Sequence, residues 1–272
     1  MNNYSVLMSV YDREKPENLC LSINSILNQT IPPDEIVIVK DGILTSELDE
    51  VLEQYSMSNP IFNVIGYKEN RGLGWALNYG LNYCRNELVA RMDSDDIARH
   101  DRCEKQLKEF EKNSSLAIIG GDIAEFMDSP NNIMAYRKVP TSDSEIKEYM
   151  KTRCPLNHMT VMFKKSAVIK AGNYQDCFWN EDYYLWIRMM EQDCIFANTG
   201  DVLVNVRIDA NMYLRRGGKK YFYSELKLQK YMLNNQIIGY RTYVKNVGKR
   251  IIVQILLPNR VRGWVFRKFA RE

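Results

Sequence analysis

The sequence is poor in the residues that mark the most easily read protein classes. It holds only two histidines, His100 and His158, and its six cysteines (20, 84, 103, 154, 177 and 194) are scattered without a CxxC pair. Zinc sites and disulfide frameworks use tighter spacings, so free thiols in a reducing compartment are expected. No apolar run reaches the roughly 18–20 residues that cross a bilayer. The nearest, residues 251–257, is interrupted by Gln254. The first residues, MNNYSVLMSVYDRE, lack the basic start, long apolar centre and small-residue cleavage site of a signal peptide. No repeat and no low-complexity segment is visible. These absences argue against a zinc ribbon, a secreted disulfide scaffold and a membrane-spanning protein, and a soluble or peripheral chain is expected.

What is present is a chain of 272 residues, 45% hydrophobic and 26% charged. That is enough for one large α/β domain, or a domain with a tail, around a sizeable core. The formal charge of +3 conceals an asymmetry. Residues 219–272 carry 13 lysines and arginines against two acids, Glu225 and Glu272, a net +11, which leaves −8 on the preceding 218. A basic tail on an acidic body points to a partner for the tail.

The first 120 residues alternate strand and helix patterns. SVLMSVY (5–11) reads as a short apolar strand. Pro16 opens a helix with Leu19, Ile23, Ile26 and Leu27 on one face, and Pro32-Pro33 follows it. EIVIV (35–39) is the β-branched run of a strand buried on both faces. A polar helix over 46–55, a strand near 62–67, a helix marked by Leu73, Leu77, Leu81 and Cys84, a strand over 87–92, a helix over 99–112 and a strand over 117–120 complete the series. Such alternation predicts a parallel sheet with right-handed crossovers, covered by helices. Residues 121–218 are less regular, as an acceptor-binding half would be. In parallel sheets ligands sit beyond the carboxyl ends of the strands, so the residues just after each strand are the candidates.

Those residues are polar and mostly acidic: Tyr11-Asp12, Asp41-Gly42 and Asp93-Ser94-Asp95-Asp96. Carboxylates gathered at one sheet edge require a cation or hydrogen-bond donors. In DSDD, two carboxylates at i and i+2 share one site, one for a sugar hydroxyl and one for a hard cation that also grips phosphate oxygens. D-x-D alone is equally the mark of a solvated turn, and Asp96 stands where it would cap the following helix. Gly72-Leu73-Gly74 invites comparison with a dinucleotide fingerprint, but position 77 is leucine where that motif needs glycine.

SVLMSVYDRE, SILNQT, DEIVIVKDG, KENRGLGWALNYGL, ELVARMDSDD, PLNHMTVMFKK and NEDYYLWIRM, in that order over about residues 4–218, resemble family 2 glycosyltransferases of the GT-A fold, especially bacterial exopolysaccharide, capsule and O-antigen transferases. The resemblance implies an α/β, Rossmann-type, mostly parallel sheet flanked by helices. It implies a catalytic domain over 1–218, with a nucleotide-sugar half (1–120) and an acceptor half (121–218), followed by a basic helical tail (219–272). It places Tyr11 against the uracil of a UDP-sugar, Asp41 on the uracil imide, Arg71 near the base, Asp93 on the ribose and donor sugar, and Asp95 on Mn²⁺ or Mg²⁺. Glu181-Asp182 match the family's ED pair. Asp182 is then the base that deprotonates the acceptor hydroxyl as it attacks C1, and Glu181 orients the acceptor. Trp179 offers a flat surface for a sugar. Without the family match, E-D at a helix start reads simply as charge complementing the dipole.

The implied activity is inverting, metal-dependent transfer of a hexose, galactose or glucose favoured, from a UDP-sugar to a sugar on a polyprenyl-diphosphate lipid, giving a β-linkage. The other class is a non-catalytic binder of UDP-sugar or glycolipid on the same fold. The third metal ligand that many relatives supply as a histidine after the ED pair is missing, and His158 reads as structural. Arg215-Arg216-Gly217-Gly218 resembles a mobile loop that closes on the diphosphate, and equally a basic surface turn. In the tail, Val261, Trp264, Val265 and Phe269 share a helical face with basic residues around it, the pattern of a helix lying on an anionic membrane. Packing on the body or in a homodimer are the other readings, and nothing points to nucleic acid. The expected location is the cytoplasm, peripheral on the inner face of the membrane.

Overall fold

The run YSVLMSV forms β1 (Tyr4–Val10), buried almost throughout, in a computed structural model that describes residues 3–209 and 217–258. β2 (Glu35–Asp41) runs parallel to it, with Val10 opposite Lys40. β3 (Phe62–Tyr67) continues beyond β2, and β4 (Leu88–Met92) lies on the other side of β1, both parallel. The crossovers are α1 (Pro16–Leu27), α2 (Ser46–Ser58) and α3 (Leu73–Leu81). Pro16 sits in the first turn of α1, where its missing N–H costs nothing, and the Thr45 side chain caps α2 by accepting from Leu48 N.

The remaining elements are β5 (Ile97–Ala98), α4 (Arg102–Lys112), β6 (Leu116–Phe126), β7 (Ile133–Arg137), α5 (Asp143–Met150), β8 (Met162–Lys164), α6 (Lys165–Lys170), α7 (Glu181–Glu191) and β9 (Ile195–Arg207). One nine-stranded sheet results, ordered β3-β2-β1-β4-β8-β6-β9-β5, with β7 paired to β6. β8 is antiparallel to both β4 and β6, and β6 and β9 are parallel. Two expectations shift here. The helix expected from residue 99 begins at Arg102, because residues 97–98 pair with β9 instead. The strand expected over 117–120 runs on to Phe126, through Gly120-Gly121-Asp122, where its register against β9 shifts. The polar break in the sequence is a bulge in a strand, not its end.

Alternate strand residues serve two separate cores. Leu7, Val37 and Val39 pack with Ala76, Leu77 and Leu81 of α3 and with Leu185, Trp186 and Met189 of α7. Val6, Met8, Ile36 and Ile38 pack with Leu19, Ile23 and Ile26 of α1 and with Leu48 and Leu52 of α2. Gly80 lets α3 lie close: a Cβ there would stand 2.5 Å from Val39 Cγ2. After β9 come α8 (Lys219–Asn234), α9 (Tyr240–Arg250) and a wider helical turn over Ile251–Leu256. Leu228 and Met232 of α8 join the core that holds α7. The tail face of Val261, Trp264, Val265 and Phe269 lies outside the described residues, as do Arg215 and Arg216. Among the described residues no helix is long and apolar enough to cross a membrane.

Candidate active site

β1, β2 and β4 are parallel and their carboxyl ends open on one edge. Val10 stands opposite Lys40 and Met8 opposite Met92, so Tyr11, Asp41 and Asp93 leave the sheet together. Tyr11 is 41% exposed there.

Asp41 ends β2 in a cradle of donors. Its carboxylate accepts from the Tyr67 hydroxyl at 2.8 Å, from Arg71 N at 2.8 Å and from Gly72 N at 3.0 Å, and its carbonyl accepts from Asn70 Nδ2 at 3.1 Å. Gly42 makes this approach feasible. Its φ is +95°, and a Cβ would stand 2.9 Å from Asn70 N. The Arg71 guanidinium lies 4.9 Å from the Trp75 ring centroid and 5.9 Å from that of Tyr67, within cation–π range. A planar base would meet a carboxylate, a cation and aromatic surface at this edge.

The DSDD segment is held differently. Arg91 points from β4 beneath it, 1% exposed, and grips the Asp93 carboxylate with both terminal nitrogens, one at 2.7 Å. Ser22 Oγ donates to Asp93 O at 2.7 Å, and Ser94 Oγ donates to Glu14 Oε2 at 2.7 Å. Burial, then the like charges of Asp93 and Glu14, push the Asp95 carboxyl up to about 7. Asp96 is buried and is pushed well above the usual carboxylate range by burial and by Asp95 and Asp93. The expectation that Asp96 caps the next helix is corrected: its carboxylate accepts from Arg207 N at 2.8 Å, and α4 starts only at Arg102.

Glu181 and Asp182 open α7 close by. Gly74, at the start of α3, is where α3 meets α7: a Cβ there would stand 3.0 Å from Glu181 Cβ. Burial and the charge of Asp182 push the Glu181 carboxyl up to about 7. Burial also raises Asp182, against the pull of the Arg91 and Arg137 guanidiniums, and the Cys154 thiol donates to its Oδ2 at 3.8 Å. An acid that merely complements a helix dipole is held low. These two are held high, a shift that marks candidate functional carboxyls. The Arg91 charge acts on Asp93, Asp95, Asp96, Glu181 and Asp182, so one buried guanidinium serves both acidic groups. Trp179, two residues before the pair, is 48% exposed with φ +57° and stacks on Phe178 at 4.6 Å. A bulky residue in that backbone region costs about 1–3 kcal/mol, and such strain concentrates at functional sites.

Sequence reasoning missed Arg91, Glu14, Tyr67 and Trp75. Arg91 had a readable signal, a charge inside the otherwise apolar strand ELVARM, where only a paired charge is tolerated. Glu14 lies in the turn after β1 and no pattern marks it. His158 is structural: its Nε2 stands 3.0 Å from the Tyr174 hydroxyl, and burial and the Arg91 charge hold it neutral. Among the described residues no group of three or more His, Cys, Asp or Glu side chains is placed to hold a metal ion.

Comparison with known proteins identifies the family and the fold. The family model described as Glycosyl transferase family 2 matches residues 5–176. An uncharacterized glycosyltransferase of Haemophilus influenzae is 43% identical over 273 residues, 99% of each chain. The UDP-Gal:alpha-D-GlcNAc-diphosphoundecaprenol beta-1,3-galactosyltransferase of Escherichia coli is 38% identical over 271 residues, 99% of this chain and 97% of that one. Among solved structures, Staphylococcus aureus TarS 1–349 in complex with UDP-GlcNAc superposes with TM-score 0.66 at 14% identity, over 97% of this chain and 76% of that one. The mannosyltransferase PcManGT of Pyrobaculum calidifontis, in complex with GDP-Man and Mn²⁺, superposes with TM-score 0.63 at 12% identity, over 95% and 71%.

Proposed function

The chain belongs to glycosyl transferase family 2 and is a glycosyltransferase, and from that premise we propose that it moves galactose, with inversion, from UDP-galactose to an N-acetylhexosamine carried on a polyprenyl diphosphate. The observation that carries the reading is the nearness of the high-held Glu181-Asp182 pair to the acidic end of β4, with Arg91 acting on both. Near-full-length identity of 38% to the E. coli enzyme supports the donor, the lipid-linked acceptor and a β-1,3 linkage.

Asp41 meets the uracil imide with Tyr11 and Arg71 beside the ring, and Asp93, fixed by Arg91, meets the ribose and donor sugar. Asp182 takes the proton of the acceptor hydroxyl, whose oxygen attacks C1 from the face opposite the departing UDP. The new C1–O bond forms as the old one breaks, and UDP leaves with the bonding pair. Glu181 orients the acceptor, and Trp179 lies beneath a sugar ring. Arg215 and Arg216 are assigned to the diphosphate on family resemblance alone. Asp95 fits a hard divalent cation as one ligand, because it is a half-buried carboxylate crowded by Asp93 and Glu14 with Arg91 already committed to Asp93. Asp95 would hold Mn²⁺ or Mg²⁺, which would supply positive charge to the leaving diphosphate. The same reading puts the enzyme on the inner face of the cytoplasmic membrane, its basic C-terminal segment against anionic lipid.

The test is incubation with labelled UDP-galactose, UDP-glucose and UDP-N-acetylglucosamine and a synthetic GlcNAc-diphosphate-alkyl acceptor. Label is expected to transfer from UDP-galactose, with a β anomeric coupling in the product's NMR spectrum and no turnover in excess EDTA. An α coupling refutes inversion, full turnover in EDTA refutes the metal, and tight UDP binding without transfer from any donor makes the protein a binder.

A further inference from the structure

α9 and the turn that follows it carry their polarity the wrong way round for a helix facing water. Their inward side is largely polar, with Tyr243 the apolar contact to the core. Asn246, 3% exposed, donates to Lys151 O and to Gln229 Oε1, each at 2.9 Å; Gln254 is 5% exposed; Arg250 pairs with Glu225 and donates to Thr152 O at 3.1 Å. Their outward side is apolar: Tyr240 is 71% exposed, Val244 49%, Ile252 53% and Leu256 66%, with Ile251 and Ile255 also exposed. Tyr240 and Val244 are four residues apart on one face, as are Ile251 and Ile255 a few turns on. Arg241, Lys245 and Lys249 form an exposed row beside them at a spacing of four. Gly248 lies between Val244 and Ile252 at the same spacing of four, and a Cβ there would meet nothing within 4 Å. From residue 226 to residue 271 the sequence contains no Asp or Glu.

We propose that this face docks on an anionic lipid bilayer, its apolar row entering the headgroup boundary and Arg241, Lys245 and Lys249 meeting lipid phosphates. The proposal rests on the reading above that the acceptor is lipid-linked. Water is a poor solvent for an apolar row of this length, and helices with one basic and one apolar side are held in the interface plane. A second copy of the chain is a poorer occupant, since the cationic row would face its own image with no acid on that face to pair it. The last 14 residues extend the same chemistry in sequence, with five arginines and lysines and with Trp264, Phe266 and Phe269.

The test is sedimentation of the full chain with vesicles, in the absence of any sugar substrate. Binding is expected with phosphatidylglycerol and phosphatidylcholine in equal parts, and little with phosphatidylcholine alone. Replacing Arg241, Lys245 and Lys249 together by glutamine should weaken binding on the order of 100-fold, at about fivefold per cation. Val244→Glu with Ile255→Glu, both on the exposed side, should weaken it at least about tenfold without changing the melting temperature. Both variants should transfer sugar to a short, water-soluble acceptor as well as the parent does. Failure of the parent to transfer sugar would sink the proposed activity and leave the vesicle result standing. No binding to anionic vesicles, equal binding to neutral ones, or binding unchanged in both variants overturns the docking face. So does a dimer in sedimentation equilibrium that Val244→Glu with Ile255→Glu dissociates, which would make the face a contact between copies.

Discussion

Asp41 and Asp95 follow two strands of one sheet, each a single strand away from β1, and the chain treats them in opposite ways. Asp41 is finished by the protein itself, with a hydroxyl and two backbone N–H groups aimed at its carboxylate. Asp95 is half-buried beside Asp93 and Glu14, and its carboxyl is pushed up to about 7. A carboxylate surrounded by donors is preorganised to present its remaining lone pairs to a neutral ring. A carboxylate surrounded by acids is complete only when something positive joins it. The difference matches the roles proposed for them, Asp41 for the nucleoside and Asp95 for a cation, although the sequence writes both as an aspartate near the end of an apolar strand.

The largest effect expected from this contrast is that of Asp95→Ala. Charge stabilisation of a leaving diphosphate is worth several kcal/mol, so kcat/KM should fall by about 10³–10⁴ in saturating Mn²⁺. The melting temperature of the metal-free protein should hold or rise, because a half-buried carboxyl repelled by its neighbours has been removed. Asp41→Ala should do the reverse in stability, since three donors lose their acceptor at about 1–3 kcal/mol for a hydrogen bond to a charged group. Its kinetic loss should appear in the donor KM. If Asp95→Ala melts early and Asp41→Ala does not, the contrast between the two sites is wrong.

The ED pair extends the comparison to a second crowded group. Asp182→Asn keeps the shape but cannot take a proton, so kcat should fall by about 10²–10⁴ while UDP affinity, made at Asp41 and Asp93, stays near that of the parent. Loss of UDP affinity in step with kcat would assign Asp182 to the donor instead. Glu181→Gln should be milder in kcat and has a stability signature of its own. Unfolded, Glu181 releases its proton in the usual carboxylate range; folded, it keeps it up to about 7. The folded chain therefore holds the extra proton between those values, and its stability falls as pH rises through them. Glu181→Gln abolishes that loss. Its melting temperature should match the parent's near pH 4 and exceed it at pH 8, by a margin corresponding to at most about 3 kcal/mol. Equal melting temperatures at both pH values would mean that Glu181 is solvated and unperturbed.

Much of this was legible in the sequence, for identifiable reasons. SVLMSVY reads as an apolar strand and EIVIV as a doubly covered one, and the strand-end rule then leads to Tyr11, Asp41 and Asp93. Periodicity failed where polar residues enter a strand: Gly120-Gly121-Asp122 reads as an ending, yet β6 passes through it as a bulge. It also failed to rank the acids. DSDD shows three aspartates within four residues, and only burial and Arg207 N distinguish Asp96, which is tied to the fold, from Asp95. The partners that tune the site come from distant positions, Glu14 after β1 and Arg207 at the end of β9, and no spacing rule joins them. The C-terminal helices were legible as basic and aromatic, but the side that faces outward depends on which residues α8 buries.

The smallest effect expected concerns Arg71, and it tests whether the Asp41 cradle is made of backbone or of side chains. Arg71 contributes twice: its N–H holds Asp41 at 2.8 Å, and its guanidinium lies over Trp75 and Tyr67. Arg71→Ala removes the second contribution and leaves the first. Trp75 is 50% exposed, so the stacked cation is worth about 0.5–1 kcal/mol, and less at high salt. The donor KM should therefore rise by about two- to fivefold, with kcat and melting temperature close to the parent's. Trp75→Leu should give a similar rise, and the double variant less than the product of the two, because each single change already breaks the same contact. A drop in melting temperature with Arg71→Ala would show that the guanidinium helps to order residues 70–72. In that case the cradle around Asp41 would depend on a side chain that bound nucleotide also uses, and the contrast with Asp95 would be one of degree.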